Sequence, residues 1–128
     1  MIILKEDYDL VKNRIKQIKL ELRELASEFR EALNQSSETW HDNAPWDAAK
    51  SQEAVLLVEL EELEKVIKSS RIHKLSESSP IGKTHEVRFN DKKMKIFLAG
   101  DFSLRNGTKV NDHIVVTTSS PIARALLG

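Results

Sequence analysis

The residues best suited to chemistry gather in one short stretch, Ser36-Ser37-Glu38-Thr39-Trp40-His41-Asp42-Asn43-Ala44-Pro45-Trp46-Asp47-Ala48-Ala49. It contains both tryptophans of the chain, three carboxylates and a histidine. Asp42 or Asn43 suits the cap of a following helix, because a short side-chain oxygen accepts its first unpaired backbone N–H groups. On that reading Glu38 and Asp42 are acids of a solvated loop. Trp40 and Trp46 read either as hydrophobic fasteners closing a hairpin or as flat platforms for stacking. His41, His73, His85 and His113 lack metal-ligand spacing, such as two histidines four apart on a helix, and there is no cysteine for a thiolate site. No nucleophile and base pair, phosphate loop or complete metal set is visible, which speaks against an independent enzyme.

Two long helical patterns flank this stretch and must position it. Before it, apolar residues fall at Leu4, Tyr8, Val11, Ile15, Ile18, Leu22, Leu25, Phe29 and Ala32, in steps that alternate four and three. That is a heptad seam, with Lys, Arg, Glu, Asp, Asn and Gln filling most other positions and facing water. A helix from Leu4 to Leu33 would be about 45 Å long. After the stretch the pattern resumes at Ala49, Leu56, Leu60, Leu63 and Ile67, with Val55, Leu57 and Val58 expected to broaden the second stripe. One apolar stripe cannot keep a lone helix folded in water, so the two seams are expected to bury each other as an antiparallel hairpin. Residues 1–70 thus read as a two-helix coiled coil with its tip near 36–47.

Beyond Ser69-Ser70 the pattern changes, and residues 71–128 read as a second, small β-rich domain, making the chain α+β. His85-Glu86-Val87-Arg88-Phe89 and Lys93-Met94-Lys95-Ile96-Phe97-Leu98 flank Asn90-Asp91-Lys92 as a β-hairpin, and Asp112 to Thr118 reads as a further strand. Asn106-Gly107 marks a turn between them. At the end, Ser120 can cap a short helix, Pro121 suits its first position and Gly128 its close.

The chain has 128 residues, 40% hydrophobic and 31% charged, a size for one or two small domains. The amino terminus meets charge too early for a signal peptide, and no apolar run approaches membrane-spanning length, so a cytoplasmic protein is expected. A formal net charge of zero conceals a division: residues 1–70 carry about five excess acids and residues 71–128 about five excess bases, among them Lys92, Lys93, Lys95 and Arg105. Such a dipole would orient the chain near a large charged partner, or simply mark two solvated surfaces.

Two segments together resemble the GreA/GreB family of bacterial transcript-cleavage factors. One is Ser120-Pro121-Ile122-Ala123-Arg124-Ala125-Leu126-Leu127-Gly128; the other is Asp42-Asn43-Ala44, followed by an aromatic and then Ala48-Ala49-Lys50. The resemblance implies an FKBP-like domain docked on RNA polymerase and a hairpin sent down its secondary channel. It further implies that tip acids, here Asp42 and Glu38, help hold a Mg²⁺ shared with the polymerase active centre. The polymerase would then hydrolyse the 3′ end of backtracked nascent RNA, and Ser119, Ser120 and Pro121 would touch the polymerase rim. Three departures stand out. Thr39 occupies the position of the family's first tip acid, Ser119 replaces an acid or amide, and family domains continue with further strands beyond the Ser-Pro helix. A channel-binding modulator without cleavage stimulation is therefore the second expectation, and a monomer or weak self-association through an incomplete sheet is the expected state.

Overall fold

The computed structural model describes residues 1–35 and 44–127, and side chains outside 32–46. Its element order is β1 (Ile2–Ile3), α1 (Lys5–Gln35), α2 (Ala44–Ser69), β2 (Arg71–Ile72), β3 (Lys83–Phe89), β4 (Lys92–Leu98), β5 (Lys109–Val110), β6 (His113–Val116) and α3 (Pro121–Leu127). The chain divides into two compact units, Lys12–Lys65 and the pair of segments Met1–Val11 with Val66–Gly128.

The helical unit follows its heptads. Ile18 and Leu25 on α1, and Leu56 and Leu63 on α2, are buried at intervals of seven residues, while Ile15, Leu22, Phe29 and Leu60 are half-buried beside them. Each fully buried aliphatic side chain contributes roughly 1.5–3 kcal/mol. Cross-helix pairs run in opposite directions: Arg14 meets Glu59, and Lys50 lies 5.5 Å from the Phe29 ring centroid, so the helices are antiparallel. Arg14 donates from Nε and Nη2 to the two Glu59 oxygens at 2.9 and 2.8 Å, closing the seam's flank with a bidentate pair. Val55, Leu57 and Val58 do not broaden the seam. They are 67%, 48% and 58% exposed, because their positions turn them away from the stripe that Leu56 and Leu63 define.

The second unit is a mixed four-stranded sheet in the order β3-β4-β6-β5, with β4 and β6 parallel and the other neighbours antiparallel. Asn90 and Asp91 form the two-residue turn between β3 and β4 with φ of 52° and 61°, the left-handed pair that a type I′ hairpin needs. Alternation along β4 feeds two cores. Ile96 and Leu98 pack with Val116 and with Ala123 of α3 on one face, whereas Phe97 points to the other, where Leu4, Ala99 and Val115 are buried. The chain's start is tied in by a parallel ladder, Ile2 opposite Arg71 and Ile3 opposite Ile72. Asp101 N–H donates to the Ile2 carbonyl at 2.6 Å, and the Asp101 carboxylate accepts from Ile2 N–H at 2.7 Å. Gly100 permits that approach, since a Cβ there would lie 2.4 Å from the Ile2 carbonyl oxygen.

Candidate functional site

The tip that sequence singles out is carried between the end of α1 at Gln35 and the start of α2 at Ala44. Glu38, Trp40, His41 and Asp42, and the expected cap at Asp42 or Asn43, lie outside the described residues. Trp46 belongs to the first turn of α2, and its side chain is likewise outside them. What is described is the scaffold: two heptad helices whose regular burial extends along α1 to Leu25 and along α2 from Leu56. A seam of that regularity holds both helices to a fixed register, which any remote tip chemistry requires.

Ser119, Ser120 and Pro121 separate into different roles. Ser120 Oγ accepts the Ala123 N–H at 3.1 Å, and its carbonyl accepts the Arg124 N–H at 2.9 Å, so Ser120 caps α3 as expected. Pro121 occupies the first helical position and is exposed. Ser119 is also exposed, its hydroxyl 3.1 Å from Thr117 Oγ1. Two residues of the motif are therefore presented to solvent while the third is committed to the helix.

A cluster that sequence reading missed lies at the opening of α1. Asp7, which the heptad pattern assigns to the watery side, is completely buried. It accepts the Ser103 hydroxyl at 2.7 Å and the Arg105 Nε and Nη2 at 2.9 and 3.1 Å, and Glu6 adds a contact to Arg105 at 3.4 Å. The hydrogen bond from Arg105 to Asp7 holds the guanidinium pKa above its ordinary value. Arg105 also stacks 5.5 Å from the Phe97 ring centroid, so it belongs to the packing and not to a free basic surface. The available signal was the chain's reversal of charge, but nothing local pairs residues 96 to 98 positions apart.

The remaining bases lie on the sheet. Lys95 donates to Asp112 at 3.0 Å, and this hydrogen bond raises the Lys95 pKa and lowers that of Asp112. Arg88, Lys92, Lys93 and Lys109 are exposed. His85 lies 2.8 Å from the Pro80 carbonyl and His73 3.1 Å from Ser79 Oγ, both local fastenings of the loop before β3. Among the described residues no three metal-ligating side chains gather, and no helix is long and apolar enough to cross a membrane.

Two antiparallel heptad helices preceding a small mixed sheet, closed by a capped helix, define an α+β fold of hairpin and sheet. That fold is found in solved structures of Gfh1. The chain is similar to one structure of the transcription factor Gfh1, with 17% identity and a TM-score of 0.55 over 100% of this chain and 81% of that one. It is similar also to GreA factor homolog 1 (Gfh1) of Thermus thermophilus, with 21% identity and a TM-score of 0.51 over 100% and 82% of the two chains. For Thermus aquaticus Gfh1 the values are 19%, 0.53, 97% and 79%. No protein-family model and no curated protein matches the chain.

Proposed function

We propose that the protein is a Gre-like transcription factor that binds RNA polymerase, inserts its hairpin into the secondary channel and stimulates cleavage of backtracked RNA. The observation that carries this reading is the likeness of fold along nearly the whole chain to the transcription factor Gfh1, GreA factor homolog 1. The Asp42-Asn43-Ala44 and Ser120-Pro121 segments support it from sequence. The sheet unit would act as an FKBP-like docking domain, with Ser119 and Pro121 on the polymerase rim and Ser120 shaping their presentation. Asp42 and Glu38 would supply the hard carboxylate oxygens that Mg²⁺ prefers, sharing the ion with the polymerase and the RNA 3′ end. The protein itself would be no enzyme and would need no cofactor of its own. Working on polymerase places its action in the cytoplasm.

Thr39 favours a second reading, a channel-binding modulator that slows synthesis without promoting cleavage, because the tip then offers fewer carboxylates. A purified, backtracked elongation complex separates the two. Shortened transcripts that vanish with Asp42→Ala, weaken with Glu38→Ala and increase with Thr39→Glu support the cleavage factor. Slower nucleotide addition without RNA fragments supports the modulator. Absence of polymerase binding refutes both.

A further inference from the structure

We infer that the exposed apolar patch of α2 around Val55 and Val58 is a self-association site, at which a second copy of this chain lays the same stretch of its own α2 antiparallel across it. This inference concerns the helical unit and does not rest on the transcription reading.

Helical phase makes the patch. Val55 and Val58 stand on the side of α2 turned away from Leu56 and Leu63, and Ser51 and Ala54 continue that side at the spacing of a second seam, with all four residues exposed. Among the described residues of the helical unit, Val55, Leu57 and Val58 crowd their exposed apolar surface into one turn, whereas Leu20 of α1 is exposed singly. The three side chains present roughly 300 Å² together, the size at which a surface patch commonly has a partner. This exposure does not depend on how the sheet is completed, because the seam within Lys12–Lys65 is closed by α1 and α2 themselves.

Charge selects the direction of the second copy, and apolar overlap selects its register. The patch is flanked by Asp47 on one side and by Glu62 and Lys65 on the other, all exposed. Parallel copies about a twofold axis would set each of these residues against itself. In antiparallel copies Asp47 lies beside Lys65 of the second copy, and Glu62 lies opposite its Ser51 hydroxyl. Lys65 touches Glu61 at 3.4 Å in its own helix, but both side chains are at least 70% exposed, so this weak contact yields readily to a shared one. A register centred on Val58 would place Val55 against Glu61, and one centred on Val55 would place Val58 against Gln52. Only the axis between the two valines buries Val55 against Val58 twice over.

The chain has no cysteine, so introduced thiols read this geometry directly. In the antiparallel pair Ser51 and its copy are about 16 Å apart along the helices at ~1.5 Å per residue. A short bis-maleimide should therefore link Ser51→Cys to Glu62→Cys in an equimolar mixture and link neither variant to itself. Sedimentation equilibrium from about 1 µM to about 1 mM should give a dimer constant on the order of 100 µM, since the patch falls well short of the ~800 Å² per partner of a standard interface. Val58→Lys should weaken the dimer about tenfold or more, while Glu62 four residues on supports the helix and an unchanged urea transition reports an intact seam. Lys65→Glu should weaken it about threefold, and adding Asp47→Lys should restore it. A strict monomer throughout the range overturns the proposal, as does a dimer indifferent to Val58→Lys. Linkage of Ser51→Cys to itself, the mark of parallel helices, overturns it as well.

Discussion

Replacing Asp7 by alanine should loosen the sheet unit far more than replacing Asp9, although the two acids stand two positions apart in the same helix. Asp7 is wholly buried and accepts hydrogen bonds from Ser103 and twice from Arg105. Removing one member of a buried ion pair costs about 3–5 kcal/mol, because the other charge is left without a partner. Arg105 would keep Glu6 at 3.4 Å, the Phe97 ring and a side chain 21% exposed, so the expected loss is nearer about 2–3 kcal/mol. Asp9 pairs with Lys5 at 2.9 Å, with both side chains more than half exposed, and its removal should cost about 0.5 kcal/mol or less. Tryptophan fluorescence would report the helical unit, so the assay is amide exchange at Ile96, Leu98 and Val115, buried strand residues of the sheet. Exchange there should quicken about thirty- to a hundred-and-fifty-fold in Asp7→Ala and less than about threefold in Asp9→Ala. Adding Arg105→Met to Asp7→Ala should recover part of the loss, as coupled partners do. Equal effects of the two aspartate variants, or strict additivity with Arg105→Met, would refute the reasoning.

Further outcomes follow from other contacts. The hydrogen bond from Arg14 lowers the Glu59 pKa, so this pair's stabilisation is complete above the ordinary glutamate value and disappears as pH falls through the lowered one. Glu59→Gln should lower the stability of the helical unit, read from its urea transition at neutral pH, by no more than about 1 kcal/mol, and leave acid stability nearly unchanged. Ser120→Ala should cost about 1 kcal/mol and speed amide exchange in α3, through loss of the bond from the Ala123 N–H. Ser119→Ala should leave that exchange unchanged while weakening polymerase binding under the proposed function. Gly100→Ala should destabilise the sheet unit by about 2 kcal/mol or more, seen as a lowered melting temperature, since its methyl would press on the Ile2 carbonyl.

Local rules made much of this fold readable. Steps of four and three placed the seam, because a heptad needs no distant information, and Asn90-Asp91-Lys92 placed a turn, of which Asn90 and Asp91 carry the two successive positive φ angles while Lys92 already opens β4. Ser120 was legible as a cap for the same reason. The start of the chain was not: Ile2 and Ile3 became a strand only by finding Arg71 and Ile72 across the length of both helices. Asp7 looked like any polar residue off the seam, and its burial depends on Ser103 and Arg105 arriving from a loop near the other end of the chain. Val55, Leu57 and Val58 erred in the opposite direction. Hydrophobic composition suggested burial, yet helical phase governs which side meets the partner helix, and theirs does not.

That difference between type and placement also governs the site. The excess of bases in the second half read either as an attractive surface or as a merely solvated one; Arg105 is occupied by Asp7 and Lys95 pairs with Asp112, while Arg88, Lys92, Lys93 and Lys109 are exposed on the sheet. The Ser119-Ser120-Pro121 motif divides likewise into two presented residues and one that fixes their backbone. A fold shared with Gfh1 accounts for the scaffold, whereas activity is decided by side chains mounted on it. Under the proposed function, the deciding quantity at the tip is the number of carboxylates that its sequence offers to a shared cation. Thr39→Glu changes that number without altering any described core residue. Its effect on cleavage therefore reads the chemistry of the tip apart from the stability of the helices that carry it.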